Sequence, residues 1–399
     1  AMKNNSGVLS FIATNNWVTN TGASKLRNKI VNDGMILKLI DFCDYKIFES
    51  ADIQTMILIC LKSNKLLQYN FDLRKLNRKA MFDNVISILN KEKISAAIYL
   101  NPVFDRAILK DKSLVFSDND FEGILDKIHK KGNFLLNKSS EVAQGIVAPQ
   151  DFVNKASLRI LGNDFEIGDG IFIISEKERK NLSLNRSEME FIKPYYTTDE
   201  LYKYFGKSKN KYWVIYTDSS FKDPKHVKPY PNLKKHLDNF KKVITSDNAP
   251  YGLHRSRDEK FFKGEKIIAL RKCNEPTFTY TDFDCYVSQT FNIIKTDRIN
   301  LKYLTALLNS KLIAFYLKHR GKMQGQLYQV DKEPLLTIPI YSASAEQQKP
   351  LINLVVKIIA KKEQDVDTDI SSMEREINQS IYKIYGLSDN EINLIENEE

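Results

Sequence analysis

Cysteine is scarce, with four in 399 residues, at Cys43, Cys60, Cys273 and Cys285. None lies in a Cys-x-x-Cys pair and none has a histidine at ligand spacing. That argues against a structural zinc or a disulfide framework, and a reducing cytoplasm becomes the expected setting. Long apolar runs are missing too. The stretch Ile53–Leu61 falls well short of the roughly 18 uncharged apolar residues of a membrane span, so no membrane partner is expected. The 15 glycines build no phosphate-cradling loop of either the dinucleotide or the nucleoside-triphosphate type. Gly-x-Ser-x-Gly and His-Glu-x-x-His are likewise absent, which removes the commonest hydrolase signatures.

Apolar residues make up 42% of the chain, enough to build cores, and the length suits two or three domains. The net charge is +10, and it is unevenly placed. Residues 201–330 hold 25 Lys and Arg against 11 Asp and Glu, together with 11 of the 19 tyrosines. All the positive excess therefore sits in about one third of the chain. Basic charge interleaved with aromatics suits a polyanion whose bases also need contact; the alternative is a basic surface that serves only solubility. Residues 346–399 reverse the sign, with 6 Lys and Arg against 12 Asp and Glu.

Val8–Ala13 reads as a short buried strand, and residues 24–31 as a helix closed by Asn32-Asp33-Gly34. Met35–Phe42 is a second strand. The runs 54–61 and 66–71 flank Lys62-Ser63-Asn64-Lys65, the pattern of a hairpin. This β-α-β unit with a following hairpin reads as the second half of an α/β domain; a doubly wound fold needs more strands than these, and its phosphate-binding first turn is missing. Amphipathic helices are expected over 80–89 and 121–129. Short strands are expected at 170–174, 212–216, 266–270 and 286–290. Leu301, Leu304, Leu308, Leu312 and Phe315 form one helical stripe, and Ile370, Met373, Ile377, Ile381 and Ile384 form another that Gly386 ends.

Two possible catalytic patterns read better as structure. Asn101-Pro102-Val103-Phe104 has the outline of a base-stacking motif but reads as a turn. Asp218, Asp223 and Lys225 approach the spacing of a Mg²⁺ nuclease, but Pro224 interrupts the strand such a site needs, which favours a surface loop. The positive signals are basic. Arg255 and Arg257, two apart, would share a face if the chain were extended there. Lys260, Lys266, Arg271 and Lys272 follow. Lys318, Arg320 and Lys322 end the leucine-striped helix, with Gln324 and Gln326 beyond. Arginine suits bidentate contact with guanine or phosphate, and glutamine can read adenine.

These segments carry a resemblance. Gly7–Trp17 (Gly-Val-Leu-Ser-Phe-Ile-Ala-Thr-Asn-Asn-Trp), Gly22–Arg27, Ile40–Phe42 and Phe48–Ala51 resemble the late strands of TaqI-type adenine DNA methyltransferases. More specifically, they resemble type IIG restriction–modification enzymes, which join nuclease, methyltransferase and target recognition in one chain. Ala143–Val147, Gly170–Phe172, Phe191–Tyr195, Tyr230–Leu233, His254–Arg257 and Leu307–Lys311 are similar to the recognition domain of those proteins. Leu336–Ile340 resembles its closing strand, and Tyr382–Leu387 its C-terminal helix ending. The S-adenosylmethionine loop and the Asn-Pro-Pro-Tyr motif of the family have no counterpart here.

The resemblance implies a mixed α/β fold: a truncated Rossmann-like methyltransferase half with connector over 1–125, an α+β target recognition domain over 126–345, and a helical segment over 346–399. It implies sequence-specific binding of double-stranded DNA. Arg255, Arg257, Lys260, Lys266, Arg271, Lys272, Lys318, Arg320, Lys322, Gln324 and Gln326 are the candidate contacts. No catalytic, cofactor-binding or metal residues are expected in this chain. S-adenosylmethionine and Mg²⁺ would belong to the full parent enzyme, and the missing methyltransferase/nuclease half or separate catalytic subunits would be partners. A non-enzymatic specificity subunit and a Mg²⁺-dependent nuclease are the alternatives.

Overall fold

The computed structural model describes residues 2–398 except 44, 50–52, 77–79, 112, 113, 115, 117, 118, 138 and 139. It is a mixed α/β protein that divides into two compact units. The first comprises residues 1–132, 315–329 and 385–399; the second comprises 133–314 and 330–384.

The first unit holds a five-stranded sheet in the order Val8–Thr14, Thr55–Lys62, Gly34–Asp41, Asp72–Leu76, Ala97–Leu100. Gly34–Asp41 and Asp72–Leu76 run parallel, and the remaining pairs are antiparallel. The helix Ser24–Asp33 links the first two strands in sequence, as expected. At its end, a Cβ on Gly34 would lie 2.7 Å from the Cys60 sulfur, so only glycine lets helix and sheet approach.

Two expectations fail here. Val8–Ala13 is a strand, but it lies at the end of the sheet and is exposed along most of its length. An apolar run alone does not say whether both neighbours of a strand are present. The hairpin over 54–71 does not form either. Thr55–Lys62 inserts between Val8–Thr14 and Gly34–Asp41, while Gln68–Asn70 pairs with Val103–Asp105. Arg106 favours that arrangement. Its buried guanidinium donates to the carbonyls of Gly34 (2.6 Å), Leu66 (2.7 Å), Ser63 (3.0 Å) and Val31, which ties the turn elsewhere. Phe104 is fully buried and stacks on Tyr69 at 5.0 Å, so Asn101–Phe104 is structural. Of the stretch Phe48–Ala51, residues 50 and 51 lie outside the described residues.

The second unit packs two sheets on one core. One has the order Tyr204–Phe205, Phe278–Thr281, Lys266–Leu270, Phe291–Ile294, Val142–Gln144; the other has Tyr286–Val287, Ile192–Tyr196, Tyr212–Ile215, Ile173–Ser175. Their interior is dense in β-branched and aromatic residues, among them Ile173, Val214, Phe262, Tyr286 and Ile293. The leucine stripe serves two helices, Leu301–Leu308 and Lys311–Arg320. The break falls at Asn309, whose side-chain amide bonds both the N–H and the C=O of Phe278. Leu336–Ile340 forms no strand: Lys332–Thr337 is helical, and Ile340 contributes a single bridge to Phe134. The acidic C-terminal region gives the helices Ala345–Gln364 and Ser371–Tyr385, the latter stopped by Gly386 in the left-handed conformation, and then Asp389–Glu396, which belongs to the first unit.

Candidate functional site

In the second unit the expected basic residues fall into two groups, one joined and one not. Arg255 stands beside the strand ends, where its backbone N–H and C=O both pair with Val147 (3.0 and 2.9 Å). Its side chain is exposed and makes no salt bridge among the described residues. Arg257 follows in the left-handed region, with φ +69°. The shared face expected from an extended chain is therefore lost. A non-glycine residue held there costs on the order of 1–2 kcal/mol, so its surroundings must impose it. The Tyr216 hydroxyl is one cause, donating to the carbonyls of both Ser256 (3.1 Å) and Arg257 (3.2 Å).

The Arg257 side chain lies half-buried. Its Nε donates to the Gly145 carbonyl (3.2 Å) and its Nη2 to Gln144 Oε1 (2.9 Å). Gln144 Nε2 turns to the Gln289 carbonyl (3.4 Å), which also accepts from Arg271 Nη1 (2.6 Å). Arg271 in turn grips Asp331 Oδ1 through Nε (2.9 Å) and Nη2 (2.7 Å). Arg257, Gln144, the Gln289 carbonyl, Arg271 and Asp331 thus form one connected network. Gly145 allows it: a Cβ there would sit 2.0 Å from the Ser288 carbonyl. Burial, then the neighbouring charges of Arg255 and Arg271, push the Arg257 guanidinium below its usual range. Asp331 neutralises Arg271, while Arg257 has no acidic partner among the described residues. Nearby, the buried Nδ1 of His254 makes no hydrogen bond. Such a surface holds positive potential and polar groups awaiting a partner.

The rest of the expected set divides. Lys272 is exposed. Lys260 is exposed, 3.3 Å from Asp258 and over the Phe261 ring. Lys266 is a correction. It is completely buried, and its ammonium donates to the carbonyls of Gly264 and Phe283, both at 2.6 Å. Burial brings its pKa down to about 8. Lys266 opens a central strand and its side chain points into the core, so it cannot reach a ligand. Asp218 and Asp223 each cap a short helix, accepting from Ser220 N and Lys225 N at 2.9 Å, which accounts for both acids without a metal.

Lys318, Arg320, Lys322, Gln324 and Gln326 belong to the first unit. Two of these cations are already matched: Lys318 lies 3.2 Å from Glu398, and Arg320 pairs with Glu122. Lys322 is half-buried. Gln324 and Gln326 are exposed on a tight hairpin turned by Gly325 at φ +61°, and Gln324 accepts from Gln329 at 2.6 Å. Sequence reasoning misses Gln144 and Tyr216, because a polar residue at or just past the end of a short strand carries no pattern of its own.

Comparison with known proteins places these features. Residues 193–340 match the TaqI-like C-terminal specificity domain, and residues 1–48 match the Eco57I restriction-modification methylase. The chain is 22% identical over 403 residues to the type II methyltransferase M.HindII of Haemophilus influenzae strain Rd, covering 95% of this chain and 72% of that protein. It is 21% identical to M.HincII of Haemophilus influenzae, over 95% of this chain and 71% of that one. Its fold is similar to that of the type IIL restriction-modification enzyme MmeI, solved in complex with DNA, with a TM-score of 0.59 and 12% identity. That likeness covers 97% of this chain and 48% of the enzyme, so the chain spans about half its length. The resemblance read from the sequence, to restriction–modification methyltransferases with a C-terminal specificity domain, holds at both of its ends. Among the described residues no helix is long and apolar enough to cross a membrane.

Proposed function

We propose that this chain binds double-stranded DNA at a specific sequence, as the target recognition part of a type IIG-like adenine methyltransferase/endonuclease. The observation that carries the reading is the Arg255–Arg257–Arg271 surface, where only Arg271, of three guanidinium groups, has an acidic partner among the described residues. Phosphates supply the missing negative charge, and neutralising each one with a cation steepens the salt dependence of binding by roughly 0.9. The match to a specificity domain over residues 193–340 supports the same reading, since that span contains all three arginines. The parent enzyme would use S-adenosylmethionine as methyl donor and Mg²⁺ for cleavage. This chain by itself is expected to do neither, and S-adenosylmethionine should leave its melting temperature unchanged.

The test is selection from random duplex DNA at two salt concentrations, followed by sequencing. Enrichment of one short motif that survives the higher salt is the expected result. Salt-sensitive retention without enrichment would reduce the surface to a phosphate binder, and no retention would overturn the reading.

A second reading, a specificity subunit that pairs with a separate catalytic polypeptide, is favoured by the exposed apolar strand Val8–Thr14. Replacing Leu9 and Phe11 by lysine would then abolish assembly and methylation with that polypeptide while sparing DNA binding by this chain.

A further inference from the structure

Resting on the DNA-binding reading, we infer that Arg257 reads a guanine base, that Gln144 positions it, and that Arg255 holds a phosphate. The geometry separates the two arginines. A guanidinium has two donor edges. One edge of Arg257, formed by Nε and Nη2, is spent on the Gly145 carbonyl and Gln144 Oε1. The opposite edge, formed by Nη1 and the second N–H of Nη2, has no acceptor among the described residues. It presents two parallel donors in a fixed plane, the arrangement that meets O6 and N7 of guanine in the major groove.

Fixation is what makes a base reader. The Arg257 backbone is locked at φ +69° beneath the Tyr216 hydroxyl, and its fork is gripped by Gln144, itself tied to the Gln289 carbonyl. Little rotamer freedom remains to be lost on binding, so a wrong base cannot be accommodated by a small swing. Arg255 is the opposite case. It is exposed, and its side chain is held by nothing stronger than a 3.3 Å contact from Nη1 to the carbonyl of its own neighbour His254. A mobile cation of that kind follows phosphates and carries no sequence information. Arg271 is held at Asp331 and joins Arg257 through the Gln289 carbonyl and Gln144.

The experiment measures anisotropy titrations of the full chain on its selected site, on every single base-pair variant, and across a salt series. Arg257→Ala should erase discrimination at one G·C pair, a loss of roughly 10- to 100-fold on the selected site, and leave the affinity for unrelated DNA unchanged. Arg255→Ala should weaken all sequences alike and lower the salt slope by about 0.9. Gln144→Leu should reproduce part of the Arg257→Ala effect at the same base pair. Substituting 7-deazaguanine at that position should cost the wild type but not Arg257→Ala. Arg257→Lys, which keeps the charge and loses the fork, guards against a folding artefact and should discriminate as poorly as alanine. The inference is overturned if Arg257→Ala and Arg257→Lys keep full discrimination, or if Arg257→Ala lowers affinity uniformly together with the salt slope. If no motif is selected at all, the DNA-recognition reading fails and takes this inference with it. If a motif is selected and discrimination ignores Arg257, only the inference falls.

Discussion

The two units of this protein treat their apolar residues differently. Of the large apolar side chains left exposed among the described residues, sixteen belong to the first unit and five to the second, although the second is larger. They cluster in the first unit on the strand Val8–Thr14, through Val8, Leu9, Phe11 and Ile12, and on the helix Phe82–Asn90 and its flank, through Met81, Phe82, Ile86 and Leu89. The strand alternates, so its apolar side chains emerge on both faces of a sheet edge. Neither proline nor a charge blunts that edge, the usual protections of a strand with a free side. The second unit, by contrast, encloses its aromatic and β-branched residues between two sheets. The second unit buries most of its large apolar side chains, and the first leaves a larger share of them exposed.

A matched pair of substitutions tests that contrast most severely. Phe262 is fully buried in the second unit, stacked on Tyr286 at 4.9 Å; Phe11, in the first, is 58% exposed. Phe262→Ala should cost about 3–5 kcal/mol in urea unfolding. Phe11→Ala should stay within about 0.5 kcal/mol and reduce self-association at high concentration. Equal costs would mean that Val8–Thr14 is a packed part of the free chain.

Lys266 extends the test to charge. Its folded pKa of about 8 lies below its ordinary 10.5, so the buried ammonium opposes folding wherever both states are protonated. As pH rises from about 8 to 10.5 the folded state releases the proton while the unfolded state still holds it. The Lys266 contribution to stability therefore climbs across that window, by roughly 3 kcal/mol, since each tenfold difference in proton affinity between the two states is worth about 1.4 kcal/mol. The thiols of Cys273 and Cys285, pushed up by burial to about 11 and about 12, work in the opposite direction above their ordinary value. Lys266→Met should remove the climb and leave DNA affinity within about twofold. A large loss of affinity would return Lys266 to the binding surface.

Acid probes the same unit from the other side. Burial would raise the Glu141 carboxyl, but hydrogen bonds from Arg298, Thr296 and the Asn137 N–H outweigh it and hold it at about 2. A carboxyl depressed from its ordinary 4.5 stabilises fully above that value and loses its contribution as pH falls from 4.5 towards 2. Arg298 is about half exposed, so solvent screening reduces the contribution to about 2 kcal/mol. Glu141→Gln should flatten stability over that window without changing it at lower pH. His236 acts earlier. Burial depresses its basicity, so protonation of the unfolded chain begins to favour unfolding as pH drops below about 6.5.

What the sequence makes legible follows physical lines. Helices with regular apolar spacing, such as Ser371–Tyr385, are visible because a 3.6-residue period reports one buried face. The basic segment is visible because charge is a sum over residues and needs no geometry. Register is not. The insertion of Thr55–Lys62 depends on long-range pairing and on Arg106 filling carbonyls from four separate residues. The burial of Lys266 is hidden for a related reason: a lysine at the mouth of a strand reads as a surface cation until two carbonyls are found waiting for it. Arg257 stands out in the sequence as part of a basic cluster, but the extended geometry that its spacing suggests gives way to a left-handed backbone.

The smallest expected effect separates the basic residues of the two units. In the first unit, Arg320 spends its charge on Glu122, and Lys318 stands 3.2 Å from Glu398. A cation already matched by a carboxylate must surrender that partner before it can serve a phosphate, and the exchange gains little. Arg320→Gln and Lys318→Gln should therefore lower DNA affinity by less than about twofold and leave the salt slope unchanged, whereas Arg255→Ala lowers it by about 0.9. A slope change of that size from Arg320→Gln would show that DNA pulls the arginine away from Glu122, and it would add Arg320 to the phosphate contacts. Glu122→Gln provides the cross-check: if the pair restrains the arginine, freeing it should tighten binding slightly, and the gain should fade as salt rises.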